Sequence, residues 1–212
     1  TVEKILGIVP DVVVVATGAL PRIPDIQGIR EPNGSLKANV VTAWEALGQE
    51  KEVGENVVIV GGNHTGIQVA FLLAEQGKKV TIVECLPSLN QDLDGFIVWN
   101  SYVLPEIKRY EEEGKIKVLT SLYVKELVSG GVVCEPPGKY PNVFDISSRV
   151  TTDAETMIAC DTLIVGTGRE PLNNIFNELQ GKVPELYAIG DCVKPRWTYH
   201  ATGEGALLGI NI

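Results

Sequence analysis

Asn56-Val57-Val58-Ile59-Val60-Gly61-Gly62-Asn63-His64-Thr65-Gly66 begins as a continuous apolar run and closes in a glycine turn. An amphipathic stretch follows, stopped at Gly77, and then a second apolar run, Lys79-Val80-Thr81-Ile82-Val83-Glu84. The order predicts a strand, a tight turn, a helix over residues 65–76 and a second strand. An acid closes that second strand, 18 residues past Gly66. This is the layout of a dinucleotide-binding unit. A glycine turn brings a helix N-terminus up to a pyrophosphate, where N–H groups without intrahelical partners and the helix dipole favour the anion. The terminal acid accepts hydrogen bonds from an adenosine ribose.

Gly61, Gly62, Asn63, His64, Thr65 and Gly66 are therefore candidate nucleotide-binding residues, with Glu84 as the ribose acceptor. The alternatives are a purely structural turn and a solvated acid at a strand end. The middle glycine of G-x-G-x-x-G is Asn63 here, which tolerates left-handed backbone but adds a side chain. His64 reads as a surface or capping residue rather than an acid–base catalyst. Cys85-Leu86-Pro87, with no arginine, follows Glu84, so a 2′-phosphate would meet like charge and NADH is favoured over NADPH.

Working outward, Asp11-Val12-Val13-Val14-Val15-Ala16 reads as a buried strand and residues 17–24 as a stiff linker. Residues 39–47 predict a short strand and helix. A helix is expected over 103–113, stopped by Gly114, and a third parallel strand over 116–119. The period then shortens through 123–128, 132–134, 143–146 and 156–159, with turn signals at Ser129-Gly130-Gly131 and Pro136-Pro137-Gly138. That pattern predicts an antiparallel meander inserted in a parallel fold. Asp161-Thr162-Leu163-Ile164-Val165-Gly166-Thr167-Gly168 is another strand ending in a glycine turn, and Leu186-Tyr187-Ala188-Ile189-Gly190-Asp191 is the last. The parallel sheet should contain 57–60, 80–83, 116–119 and 163–165, with the strands before Thr17 and after Leu186 in a separate, incomplete layer. Three strand ends, Ala16-Thr17-Gly18, Gly166-Thr167-Gly168 and Ile189-Gly190-Asp191, carry small residues. In parallel sheets ligands bind at that edge.

The chain has 212 residues, enough to bury a core, and a net charge of −9 without any cluster of Lys or Arg. That charge argues against nucleic acid or an anionic membrane surface as partner. No apolar run is long enough to span a membrane. Cys85, Cys134, Cys160 and Cys192 lie far apart, with neither C-x-x-C nor zinc spacing, as in a reduced cytoplasmic protein. No metal site is expected. Both ends read as cut: the one methionine is Met157, and the chain stops on the run Ala206-Leu207-Leu208-Gly209-Ile210-Asn211-Ile212. A piece of a longer polypeptide is the expectation.

Together these segments resemble the two-dinucleotide-binding flavoproteins, which include the pyridine nucleotide-disulfide oxidoreductases. The carriers, in order, are Val13-Val14-Val15-Ala16-Thr17-Gly18-Ala19 with Pro21, the glycine turn, Gly166-Thr167-Gly168-Arg169-Glu170-Pro171 and Tyr187-Ala188-Ile189-Gly190-Asp191-Cys192. Gly190-Asp191-Cys192-Val193-Lys194-Pro195-Arg196 with Ala201 and Glu204-Gly205 narrows the likeness. It is similar to the C-terminal region of NADH:flavin oxidoreductases related to enoate reductase, 2,4-dienoyl-CoA reductase and trimethylamine dehydrogenase. The resemblance implies an α/β fold: a Rossmann-like three-layer NAD(P)-binding domain with an antiparallel β-meander over 21–170, plus an incomplete FAD-binding domain from 1–20 and 171–212.

It further implies that Ala16, Thr17 and Gly18 lie near FAD, with Gly190, Asp191 and Cys192, and that the helix after His200 points at the isoalloxazine. Residues 61–66 and Glu84 would hold NADH, with Thr167 and Gly168 near the nicotinamide and Gln68, where many members carry Glu, near its ribose. FMN and a 4Fe–4S cluster would reside in an upstream barrel of the same polypeptide, along with the FAD fingerprint. The implied function is a flavin-dependent NADH oxidoreductase passing electrons through FMN to a small-molecule enoate- or dienoyl-type substrate, with the isolated fragment inactive. No residue here is expected to be a catalytic acid or base. A nucleotide-binding structural domain without turnover stays open as the alternative, as does a disulfide reductase whose cysteines lie upstream.

Overall fold

The computed structural model describes residues 1–90, 97–136 and 155–212. The chain divides into two compact units, residues 23–168 and residues 1–22 with 169–212.

The larger unit is built on five parallel strands: β3 (Val40–Thr42), β4 (Asn56–Val60), β5 (Lys79–Val83), β6 (Ile116–Leu119) and β10 (Thr162–Val165). Their spatial order is β3-β10-β4-β5-β6, every neighbouring pair parallel. The four expected strands are all present, and Val40–Thr42 adds an edge beside β10. Helices α2 (Ala43–Leu47), α3 (His64–Glu75) and α4 (Ile97–Glu112) make the crossovers. A third layer is the antiparallel meander β7 (Tyr123–Val128), β8 (Gly131–Glu135) and β9 (Thr156–Ala159). The expected strand at 143–146 and the Pro137-Gly138 part of its turn signal lie outside the described residues.

Each face of the sheet has its own core. On one side Ile67, Ala70, Leu73 and Ala74 of α3 and Val103, Ile107 and Tyr110 of α4 meet Val57, Ile59, Val80 and Ile82. On the other, Val58, Val83, Leu163 and Val165 meet Val124, Leu127, Val132 and Cys134 of the meander. Alternate residues of a strand face opposite sides, so the apolar residues of β4, β5 and β10 supply both layers. Helix α4 opens at Ile97 rather than at residue 103, which leaves Pro105 inside it. The buried triad Val103, Ile107 and Tyr110 is spaced for one helix face, and tertiary burial there outweighs the one backbone donor that proline lacks.

Asp161 ties the start of β4 to that of β10. Its carboxylate accepts from the N–H groups of Asn56 (2.9 Å) and Glu55 (3.1 Å). Burial opposes its ionisation, but these N–H donors, the Asn56 amide and the Thr162 hydroxyl outweigh it and hold its pKa below the usual aspartate value. A depressed folded pKa gives stability that is present above the unfolded pKa and lost as pH falls through the folded one. Asp161→Asn should therefore flatten the acid limb of a urea midpoint–pH profile below about pH 4, and an unchanged limb would show that other carboxylates govern acid unfolding.

The smaller unit holds β1 (Val12–Val15) parallel to β12 (Glu185–Ala188), and β2 (Ala19–Pro21) antiparallel to β11 (Arg169–Pro171). Around them lie α1 (Val2–Ile8), α5 (Asn174–Leu179) and α6 (Thr198–Asn211), with a 3-10 turn over Gly190–Cys192. Strands β1 and β12 do form a separate two-stranded layer. The stretch expected to be a linker is instead partly strand, because Leu20 pairs with Glu170, 150 residues away. The core is small: Val2, Val15, Leu179 and Cys192 are buried, and α6 buries no residue.

Candidate nucleotide-binding site

β4 runs into Gly61 at φ 105, the one left-handed residue in the turn, and Asn63 then sits at φ −80, in extended backbone. Asn63 therefore does not stand where glycine's conformational freedom is needed. It is the N-cap of α3: its Oδ1 accepts from Gly66 N–H at 3.1 Å. Its Nδ2 donates to the Gly166 carbonyl at 2.6 Å. The capping role thus belongs to Asn63 and not to His64, which is the first helical residue. An Asn immediately before an amphipathic run is a helix-start signal that identifies such a cap from sequence.

Three glycines hold the turn closed. A Cβ on Gly66 would lie 2.0 Å from the Gly61 carbonyl oxygen, and one on Gly61 would lie 2.5 Å from that of Gly166. A Cβ on Gly62 would meet Leu89 Cδ2 at 2.3 Å. Helix α3 is thereby drawn against the carboxyl ends of β4 and β10, whose last residues, Val60 and Val165, are in register. With β5 and β6 on one side of β4 and β10 on the other, this is the point where the strand order reverses, the position at which open α/β sheets bind ligands.

Glu84 is not a solvated acid. It is 7% exposed and reaches beneath the turn, where Oε2 accepts from Gly62 N–H at 2.6 Å. Oε1 accepts from Leu86 N–H at 2.7 Å and from the Cys85 thiol at 3.2 Å. A carboxylate has about four acceptor positions, so these three donors leave about one for a further donor while Glu84 braces the turn. Burial, then the adjacent Glu84 charge, pushes the Cys85 thiol up to about 12. Burial likewise raises Cys134 to about 12 and Cys160 to about 11. All four cysteines are free. At pH 8 the native protein should accordingly react with iodoacetamide at Cys85 far more slowly than the urea-unfolded chain does, and equal rates would contradict the half-buried, protonated thiol.

Gln68 is exposed on α3 and Gly168 is exposed in the turn after β10, at φ 95; Thr167 and Thr65 are half-buried. In the smaller unit Ala16 and Thr17 are exposed, and the Thr17 hydroxyl donates to the Leu172 carbonyl. Gly18 and Gly190 are left-handed, at φ 76 and 70. Asp191 is ion-paired with Arg169 and accepts from Arg196 N–H at 3.0 Å. Glu204 accepts from Gly190 N–H at 2.6 Å and pairs with Arg196. Its pKa is lowered, first by the Gly190 N–H and then by the Arg196 guanidinium. Cys192 is fully buried, its thiol donating to the carbonyls of Val15 (3.2 Å) and Ile189 (3.1 Å), so its side chain belongs to the core. Sequence reasoning assigns no roles to Arg169, Arg196 or Glu204, whose partners are fixed only by folding.

Among the described residues no cluster of His, Cys, Asp and Glu could hold a metal ion, and no helix is long and apolar enough to cross a membrane.

A family model for the pyridine nucleotide-disulphide oxidoreductases matches residues 6–205. The chain belongs to that family. It is 28% identical over 216 residues to the metal reductase of Desulforamulus reducens, covering 87% of this chain and 28% of that protein. It is 29% identical over 210 residues to the cinnamate reductase of Clostridium sporogenes, covering 99% and 28%. A solved 2-naphthoyl-CoA reductase in complex with 2-naphthoyl-CoA superposes with a TM-score of 0.78 at 27% identity, over 100% of this chain and 28% of that one. This family member thus spans little more than a quarter of the length of these relatives. Reductases of this kind agree with the resemblance to the enoate reductase group.

Proposed function

We propose that the chain is the nucleotide-binding part of a flavin-dependent NADH oxidoreductase. The observation that carries this reading is the closed glycine turn at the strand-order reversal, with Glu84 fixed at the end of the adjacent strand. The residues present fit a dinucleotide. The start of α3 faces the sheet edge for the pyrophosphate, the acid lies toward β5 for the adenosine ribose, and the turn at residues 166–168 lies toward β10 for the nicotinamide half. Bound NADH would supply a hydride for flavin reduction, and the protein supplies position and electrostatics. Glu84 orients the ribose and rejects a 2′-phosphate. Ala16, Thr17, Gly18, Gly190 and Asp191 of the smaller unit would contribute to an FAD site.

The greater length of the relatives supports a larger protein, in which electrons would continue through FMN and a 4Fe–4S cluster to an enoate- or dienoyl-type substrate. The free thiols support a cytoplasmic location.

Titrating the intact protein with NADH under anaerobic conditions should bleach the flavin absorbance, and NADPH should do so only at higher concentration. A second reading, a nucleotide site occupied without turnover, is favoured by one feature: Gln68 stands exposed on α3 where the resemblance leads one to expect Glu near the nicotinamide ribose. NADH binding without bleaching would establish that reading, and absence of binding would overturn both.

A further inference from the structure

We propose that Asn63 is a positioning residue that sets the geometry between the two ends of the nucleotide site. The inference rests on the NADH reading above and adds to it a link that a G-x-G-x-x-G glycine cannot make. One end of the Asn63 amide caps α3 at Gly66 N–H, and the other holds the Gly166 carbonyl. Only one orientation of the amide satisfies both partners, because an N–H cannot accept and a carbonyl cannot donate.

The clamp joins two elements that would serve different halves of the ligand. Gly66 belongs to the helix start facing the pyrophosphate. Gly166 opens the turn toward β10, on the side of β4 away from Glu84. Gly166 is itself closely seated, since an added Cβ would lie 3.3 Å from the Val60 carbonyl and 3.5 Å from Gly66 Cα. With Nδ2 in place the turn at 166–168 is held in one position before the ligand arrives. Without it Gly166 keeps its N–H bond to the Val60 carbonyl (2.9 Å) but its own carbonyl loses its side-chain anchor, and the cost of fixing the rest of the turn at binding falls on the nicotinamide half.

Asn63→Ser separates the two roles. Serine is as good an N-cap as asparagine, so α3 keeps its start, but its hydroxyl cannot also reach Gly166. Isotherms on the intact protein should show NADH affinity falling about three- to tenfold, the loss of one neutral hydrogen bond. ADP-ribose, which has the pyrophosphate and lacks the nicotinamide, should stay within about twofold. Asn63→Asp preserves the shape and the cap while setting an oxygen against the Gly166 carbonyl. Its charge weakens both ligands, and the ratio of NADH to ADP-ribose dissociation constants should again rise. Equal changes for the two ligands in both variants would make Asn63 a helix cap only and overturn the inference while leaving the NADH reading intact. If the wild-type protein binds neither ligand, the nucleotide reading fails and the inference fails with it.

Discussion

Glu84→Ala is expected to lower both stability and NADH affinity. Its carboxylate is buried and holds Gly62 N–H at 2.6 Å and Leu86 N–H at 2.7 Å. Removing it leaves the Gly62 donor unpaired beneath the turn, where a hydrogen bond to a charged group contributes roughly 1.5–3 kcal/mol. Leu86 is half-buried and can turn to water, so its loss adds little. In the bound state the same carboxylate would accept from the adenosine ribose, so NADH affinity should fall about tenfold or more and NADPH affinity far less. Glu84→Gln should lie between wild type and alanine, because one amide oxygen can still accept while the NH2 group faces a backbone donor. Urea midpoints and isotherms for both nucleotides supply the check. An unchanged midpoint would remove the bracing role, and equal losses for the two nucleotides would remove the ribose role.

Gly66→Ala should be the more damaging change. The added methyl would lie 2.0 Å from the Gly61 carbonyl oxygen, a backbone atom that cannot swing aside as a side chain could. Gly61 is itself anchored, its N–H donating to the Val83 carbonyl at 2.9 Å. The helix must move off the strand end, and the cost should reach or exceed the top of the range of about 1–3 kcal/mol typical of overpacking. Because the helix start would face the pyrophosphate in the proposed site, NADH binding should be lost with it. Gly203→Ala is the control. That glycine is exposed in α6, nothing lies within 4 Å of the place an added methyl would take, and alanine should stabilise the helix by up to about 1 kcal/mol. Thermal melts of the two variants, read beside NADH titrations, test the contrast. Near-wild-type melting of Gly66→Ala would show that the turn is not closed as described.

Much of this is legible in the residues. The strands β4, β5, β6 and β10 appear where their apolar composition places them, since central strands covered on both faces need mostly apolar side chains, while the edge strand β6 leaves Lys117 exposed. The meander is visible in its shorter period and its turn at Gly130 and Gly131. Sequence reasoning starts helix α4 at 103 where the structure starts it at Ile97, because the apolar spacing that marks its buried face, Val103, Ile107 and Tyr110, begins at 103. The pairing of β2 with β11 escapes it for a related reason. Three residues ending in proline have no strand signature until a distant segment lies beside them.

At the site the division is finer. Spacing by itself determined that a glycine turn, a helix start and an acid would converge at one sheet edge, because strand and helix lengths are set by backbone geometry. What only the tertiary structure decided is where each side chain makes its hydrogen bonds. Asn63, suspect as a misplaced glycine, is a cap and a clamp, because the backbone at its position is extended and Gly166, at the end of the neighbouring strand β10, comes within reach. Glu84, legible as a strand-end acid, is a buried brace, because the turn folds back over it and presents the Gly62 N–H. Hydrogen bonds are short-ranged and directional, so their partners follow from which loops meet in space, and no spacing along the chain encodes that meeting.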